Sequence, residues 1–314
     1  MSETPDQLPK RLPDKPPKKP YRPSLDPILW SCLIYLFGLV VLFIYFPKLQ
    51  AYVGEVFGSP EQAPQYPILP ILLYFFGVVI VMGVVLWKIP ISKLRLVLKI
   101  FFGVFYTWGV FVLLSLILPF HLAFIPALVI ALAAAAGWFF FSIVWLQNLL
   151  LVVTLVSIGG VFGALVPPWT IIIFLAAVSI YDILAVTLGY MMWMARKLSE
   201  ADTLPAFIMP RKATQWQLNL RGSTVQKLFD EEASEREYSL LGGGDLGFPL
   251  IFVVSVNFHT GYNAALWVAG FSMLGLIFAY LLQIFLLKGK PLPALPPISF
   301  MCIVGYLVAV YLVH

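Results

Sequence analysis

Asp182, in AAVSIYDILAVTLGY, and Asp245, in LLGGGDLGFPLIFVV, each interrupt a long apolar run. The other thirteen of the fifteen Asp and Glu residues fall in the tail or in polar connections. An isolated carboxylate at membrane depth costs roughly a few kcal/mol or more, so such groups face a cavity and perform chemistry or transport. Two of them on consecutive apolar segments are the minimal equipment for acid–base hydrolysis. One carboxylate takes a proton from water while the other, protonated, polarises the bond under attack. The same pair could instead carry protons or cations, which is the alternative reading.

The residues around the pair narrow the choice. Gly242, Gly243 and Gly244 run directly into Asp245. Glycines allow close backbone approach and departure from helical geometry, and they place Asp245 near a helix N-terminus, whose dipole favours the ionised form. Gly244 leaves room beside the carboxylate for a substrate backbone. Tyr181 stands next to Asp182 and hydrogen-bonds a substrate, orients the pair, or fills space with its hydroxyl satisfied by a neighbour. Further on, Pro291, Pro293, Pro296 and Pro297 fall within seven residues and forbid ordinary helix. Backbone freed in this way survives at membrane depth only where it lines a cavity or meets another peptide. Residues 290–297 therefore either line such a cavity or merely start a helix.

The elements that carry these residues are apolar helices. The chain is 61% hydrophobic and 11% charged, with a mean hydropathy of +0.93, which excludes an ordinary soluble domain. A spanning helix needs about 20 apolar residues. Nine such stretches are read, at 28–46, 68–87, 97–118, 121–145, 148–167, 169–194, 240–258, 262–287 and 293–313. The expected fold is therefore all-α, a polytopic membrane protein with nine transmembrane helices over 27–314. Pro119-Phe120, Gln147-Asn148 and Pro167-Pro168 are the short connections between spans. The first run is too long for a signal-peptide core and lacks a small-residue cleavage site, so it reads as a retained span.

With a cytoplasmic N-terminus, nine spans place nineteen of the twenty Lys and Arg residues on one side and only Lys48 on the other. That asymmetry obeys the positive-inside rule and supports the span count. The C-terminus then lies on the opposite side, and the net charge of +5 reports orientation rather than nucleic-acid binding.

Residues 1–26, rich in Pro and Lys, are expected to form a disordered, partly polyproline cytoplasmic tail. Residues 47–67 read as an outer loop and 195–239 as a cytoplasmic loop. Met191, Met194 and Leu198 share one helical face and Arg196, Lys197 and Glu200 the other, as in an interfacial helix. The sixth span then ends near Gly189. Asp182 lies ~10 Å and Asp245 ~8 Å from the same membrane boundary at about 1.5 Å per residue, so the two can meet. Cys32 and Cys302 form no CxxC pair and read as packing residues. His121, His259 and His314 match no ligand spacing, so neither a metal nor a cofactor is expected. No inverted repeat of the transporter kind is found.

YD in the sixth span, GxGD at the head of the seventh and PAL at the head of the ninth resemble the presenilin and signal peptide peptidase family of intramembrane aspartyl proteases. The likeness covers essentially all of 28–314 in span count, motif order and spacing. PALPPISF and ARKLSEADTLPAFIMP are more similar to the presenilin branch, as is a cytoplasmic N-terminus. Gly243 stands where relatives usually carry Leu, and Phe248-Pro249 is more like the peptidase branch. The 195–239 loop is short for a eukaryotic presenilin. The resemblance implies an Asp182/Asp245 dyad cleaving transmembrane helices of single-span substrates within the lipid bilayer, with Pro293, Ala294 and Leu295 as candidate substrate-binding residues. It also implies a compact, prokaryotic type of enzyme that needs no partner subunits.

Overall fold

A computed structural model describes residues 25–57, 67–118, 120–220, 238–287 and 291–313. Most of the basic tail, part of the 195–239 loop, and His314 lie outside the described residues, and the side chain of His121 is likewise not described. Nine long helices follow the nine apolar stretches in order. They are α1 (Asp26–Phe57), α2 (Ile68–Lys88), α3 (Ile91–Ile117), α4 (Phe120–Phe140), α5 (Val144–Leu165) and α6 (Pro168–Thr187), then α8 (Gly243–His259), α9 (Tyr262–Phe285) and α10 (Leu295–Val313). A shorter helix, α7 (Tyr190–Glu200), follows α6. Among the described residues, six helices (α1, α2, α3, α5, α6 and α9) are long and apolar enough to cross a membrane. Large side chains such as Leu73, Tyr74, Val104, Trp169 and Phe300 stay exposed around the bundle, as lipid-facing surface requires.

The centre of the bundle is α5. Gly159, Gly160 and Gly163 let it lie directly against α8 and α1. A Cβ at Gly163 would meet the Val254 Cβ at 2.5 Å and the Ile251 carbonyl at 2.6 Å, and one at Gly160 would meet the Tyr45 ring at 2.6 Å. On another face Gly109 of α3 packs on Thr154, and the Ser157 hydroxyl donates to the Gly109 carbonyl at 2.7 Å. Small residues permit such approach where packing, not water exclusion, drives helix association. Gly275 of α9 does the same for α10, against Ile298. By contrast α2 buries only Leu86 and packs on α6 and α7 at the edge.

Several boundaries differ from the sequence reading. α1 runs on through Pro47 to Phe57 instead of giving way to a loop at residue 47; Leu49 and Val53 are buried and hold its extra turns. The fourth stretch stops at Phe140, because the Ser142 carbonyl accepts from the Leu220 N–H at 2.7 Å and the Val144 N–H reaches the Leu218 carbonyl at 3.3 Å. The fifth helix starts at Val144, so Gln147 and Asn148 are no connection at all: they lie inside α5, 4% and 2% exposed. α6 ends where expected, with Gly189 in the left-handed region at φ +74°. α7 is amphipathic as read, with Leu198 buried.

The all-α expectation also needs correction. The polar connection contains an antiparallel pair, β1 (Ala206–Pro210) and β2 (Tyr238–Gly242), with Ala206 opposite Gly242 and Pro210 opposite Tyr238. A 3₁₀ turn at Ala213–Gln217 follows β1. β2 takes residues read as the start of the seventh span, so Asp245 lies in the first turn of α8 rather than five residues into a helix. A second apolar cluster joins this sheet to the polar ends of α2, α3 and α7 through Leu86, Leu94, Leu98, Leu198 and Ile208.

Gly163→Ala should therefore destabilise the protein by about 1–3 kcal/mol, the cost of overpacking a tight contact. Gly77→Ala, whose Cβ meets nothing within 4 Å, should cause no loss or a gain of up to about 1 kcal/mol. Denaturant unfolding in detergent micelles reads both. Equal stability of the two variants would contradict the close α5–α8 contact.

Candidate active site

Asp182 comes from the C-terminal part of α6, five residues before its end; the helix opens with Pro168 in its first turn after an extended Pro167. Proline suits that position because the missing N–H would have no helical partner there. The Asp182 carboxylate is buried, 7% exposed, and accepts a hydrogen bond from the Leu295 backbone N–H at 3.2 Å. Leu295 can donate because it is the first residue of α10, where N–H groups lack helical acceptors. Pro291 and Pro293 act as the sequence implied, in residues 291–294 that stay out of helix, whereas Pro296 and Pro297 lie in the first turn of α10, where a missing N–H has no helical acceptor to lose.

Asp245 is 8% exposed and sits in the first turn of α8. Gly242 is the N-cap, at φ −59° and ψ 141°, and its backbone hydrogen-bonds the Asp245 carboxylate. This is half of a capping box, with the acid at the third helical position reaching back to the cap. Asp182 lies close enough for its charge to act on Asp245. The two carboxylates predicted to meet are brought together at one site.

A cavity of about 150 Å³ opens beside Asp245. Its walls are Leu240–Gly242 of β2, the segment Pro291, Leu292 and Ala294, one face of α9, and Met191 and Met192 of α7. Ala294 and Gly242 therefore line the space, and Leu295 faces Asp182. Pro293 lies in the same extended segment.

The remaining predicted residues, Gly243, Gly244 and Tyr181, do not line this cavity. Gly243 packs on Pro205, its N–H donating to the Pro205 carbonyl at 3.1 Å. A Cβ at Gly244 would meet the Phe248 ring at 2.9 Å, so Gly244 makes room for Phe248. Tyr181 turns toward α2, with its ring 5.8 Å from Phe76 and 6.3 Å from Phe75. It faces a groove shared with Tyr190 and Trp193. Among the described residues no group of three or more His, Cys, Asp or Glu could hold a metal. Cys32 and Cys302 are free thiols.

Sequence reasoning missed Tyr280 and Gln283, which line the cavity from α9. The Tyr280 hydroxyl pairs with the Ser31 hydroxyl of α1 at 2.6 Å and also bonds Ser239 of β2. The available signal was two polar side chains three residues apart in FAYLLQIF, which puts both on one helical face.

The comparisons with known proteins agree with this geometry. The family described as signal-peptide peptidase, presenilin aspartyl protease matches residues 33–314. Two solved structures of a presenilin family intramembrane aspartate protease share the fold. The one in space group C222 has a TM-score of 0.60 at 22% identity, covering 91% of this chain and 99% of the other. The one in space group P2 has a TM-score of 0.59 at 21% identity, covering 91% and 98%. No curated protein matches the sequence. With this family matching over nearly its whole length, the chain belongs to the signal-peptide peptidase and presenilin aspartyl proteases, and it is an integral membrane enzyme, an intramembrane aspartic protease.

Proposed function

We propose that Asp182 and Asp245 are the catalytic dyad, hydrolysing peptide bonds within the transmembrane helices of single-span substrates. The observation that carries this reading is a pair of buried carboxylates, from α6 and α8, close enough for the charge of one to act on the other: Asp245 lines the cavity, and Asp182 accepts from Leu295 at the end of the extended segment that walls it. Two adjacent carboxylates do not both ionise cheaply, so the pair holds one proton between them. The ionised member draws a proton from a water molecule, and the protonated member polarises the scissile carbonyl. After attack, a proton passes to the departing amide nitrogen, and the pair returns to its shared-proton state. The titration belongs to the pair rather than to either residue.

A transmembrane substrate hides its peptide bonds in i→i−4 hydrogen bonds, so cleavage requires local unwinding. The cavity supports that step. β2 on one side and residues 291–294 on the other supply backbone with which an unwound segment can pair. Gly242 is at the same time the end of the strand and the cap of Asp245, so a segment laid along β2 arrives beside the carboxylate. We read the nine long helices as nine spans of one domain, with a cytoplasmic N-terminus. The sheet, α7 and the basic residues then lie on the cytoplasmic side, from which water reaches the dyad. The enzyme acts without obligatory partner subunits.

The test is cleavage of a panel of single-span substrates by the purified protein in bilayers. Asp182→Asn and Asp245→Asn should each lower turnover by about 10²–10⁴-fold while melting like the wild type. Retention of wild-type turnover by either folded variant would remove that residue from the dyad.

A second outcome follows from the cap. Gly242 has a backbone conformation open to any residue, yet an added Cβ would stand 3.1 Å from Asp245 Oδ2. Gly242→Ala should therefore lower kcat about 10-fold, as small misplacements of reacting groups do, with little change in melting temperature. An unchanged kcat would show that the carboxylate position is not held by this contact.

A further inference from the structure

We propose that Asn148 is a positioning residue: its carboxamide closes the outer edge of the two-stranded sheet as a surrogate strand, and thereby sets which edge receives substrate and in what register to Asp245. The inference rests on the protease reading above and deepens it.

Asn148 projects from α5 and makes two hydrogen bonds to one residue of β1. Its Nδ2 donates to the Ile208 carbonyl at 2.8 Å, and its Oδ1 accepts from the Ile208 N–H at 3.0 Å. One residue giving up both its N–H and its C=O to one partner is the bonding of a hydrogen-bonded antiparallel pair. Here a side chain supplies the partner's half. It does so from a position 2% exposed, where an unpaired amide would be costly. The neighbouring Gln147 extends the hold, its Nε2 donating to the Leu204 carbonyl at 2.8 Å and its Oε1 accepting from the Trp138 indole.

The consequence is read from strand geometry. Both peptide groups of Ile208 point toward α5 and so away from β2. Ile208 is opposite Leu240, which makes this a non-hydrogen-bonded pair, and in such a pair both partners direct N–H and C=O outward. The bond from the Gly243 N–H to the Pro205 carbonyl falls on the same alternation. The N–H and C=O of Leu240 therefore point to the far edge of β2, and Leu240 itself lines the cavity with Ala206, Asp245, Leu292 and Ala294. With one edge of the sheet taken by Asn148, an incoming strand has one edge on which to pair. A one-residue slip would turn every side chain to the opposite face. Holding Ile208 at a fixed point on α5 holds β2 in register, and with it the peptide bond that reaches the carboxylates.

Asn148→Leu, which keeps size and removes both bonds, is the test. Three readouts are taken: kinetics on a single-span substrate in bilayers, masses of the cleavage products, and amide hydrogen exchange of residues 204–210 and 238–242. The expected result is a kcat at least about 10-fold lower, cuts spread over peptide bonds neighbouring the wild-type site, and faster exchange in both strands but not in α5. Thr154→Val, a buried change on α5 away from the sheet, should keep the wild-type cut. If Asn148→Leu does not fold, Asn148→Ala is read in the same way. A variant with the wild-type cut and wild-type strand exchange, whatever its melting temperature, would overturn the proposal. If the wild type cleaves nothing, the protease reading fails, and strand exchange alone decides the role of Asn148.

Discussion

Backbone polar groups inside a membrane protein must find partners, and much of this structure follows from that constraint. Four stretches leave helical geometry near the site: residues 141–143, β1, β2 and residues 291–294. Specific partners take up hydrogen-bonding groups in or next to these stretches. Ser142 and Val144 bond to the chain at 218–220, β1 bonds to β2 and to Asn148, and Leu295 donates to Asp182. Asp245 completes the pattern by bonding the backbone of its own cap.

The sheet is small, yet it is tied from several directions. Gln147 and Asn148 hold it from α5, and the Tyr280 hydroxyl reaches Ser239 from α9. Lys99 of α3 pairs with Asp202 at 3.0 Å just before β1, and Arg95 donates to the Glu200 carbonyl at the end of α7. An isolated two-stranded ribbon is marginal in water, so this one depends on the helices that flank it. Through Gly242 the same strand leads into α8, whose place against α5 is set by Gly159 and Gly163. One helix, α5, therefore positions both the strand that faces the cavity and the helix that carries Asp245.

The parts legible in sequence were those with a strong local signature. Nine apolar runs gave nine long helices. Two lone carboxylates point to the proposed site, and Pro291 and Pro293 fall in the stretch that stays out of helix, while the last helix begins at Leu295 with Pro296 and Pro297 in its first turn. What was not legible depended on partners distant in the chain. Gln147-Asn148 looks like a polar connection, because only the folded structure brings Leu204 and Ile208 within reach of those amides. β1 and β2 are five residues each, too short to stand out beside long helices, and their pairing crosses the 3₁₀ turn and a long connection. Tyr181 was read as a neighbour of the dyad from adjacency alone. Residues next to each other in a helix point about 100° apart, and the Tyr181 ring faces α2 accordingly.

The neutral surroundings of the two carboxylates also suit the proposed dyad, because no cation among the described residues holds either one ionised. Among the described residues, neither Asp182 nor Asp245 has a cationic partner; the ion pairs Lys99–Asp202 and Lys197–Glu200 lie at the cytoplasmic end in our reading. A lysine or arginine at the dyad would stabilise one carboxylate permanently in its charged form and remove the shared proton on which acid–base exchange depends. Backbone donors act more mildly. A single N–H on each carboxylate orients it and offsets part of its burial without fixing its charge. Glycine at 242 and helix-starting prolines after 290 are therefore linked choices: the first leaves room at the strand end for the Asp245 carboxylate, and the second free the Leu295 N–H for Asp182. Each motif supplies a neutral donor at a depth where a cation would have disabled the pair.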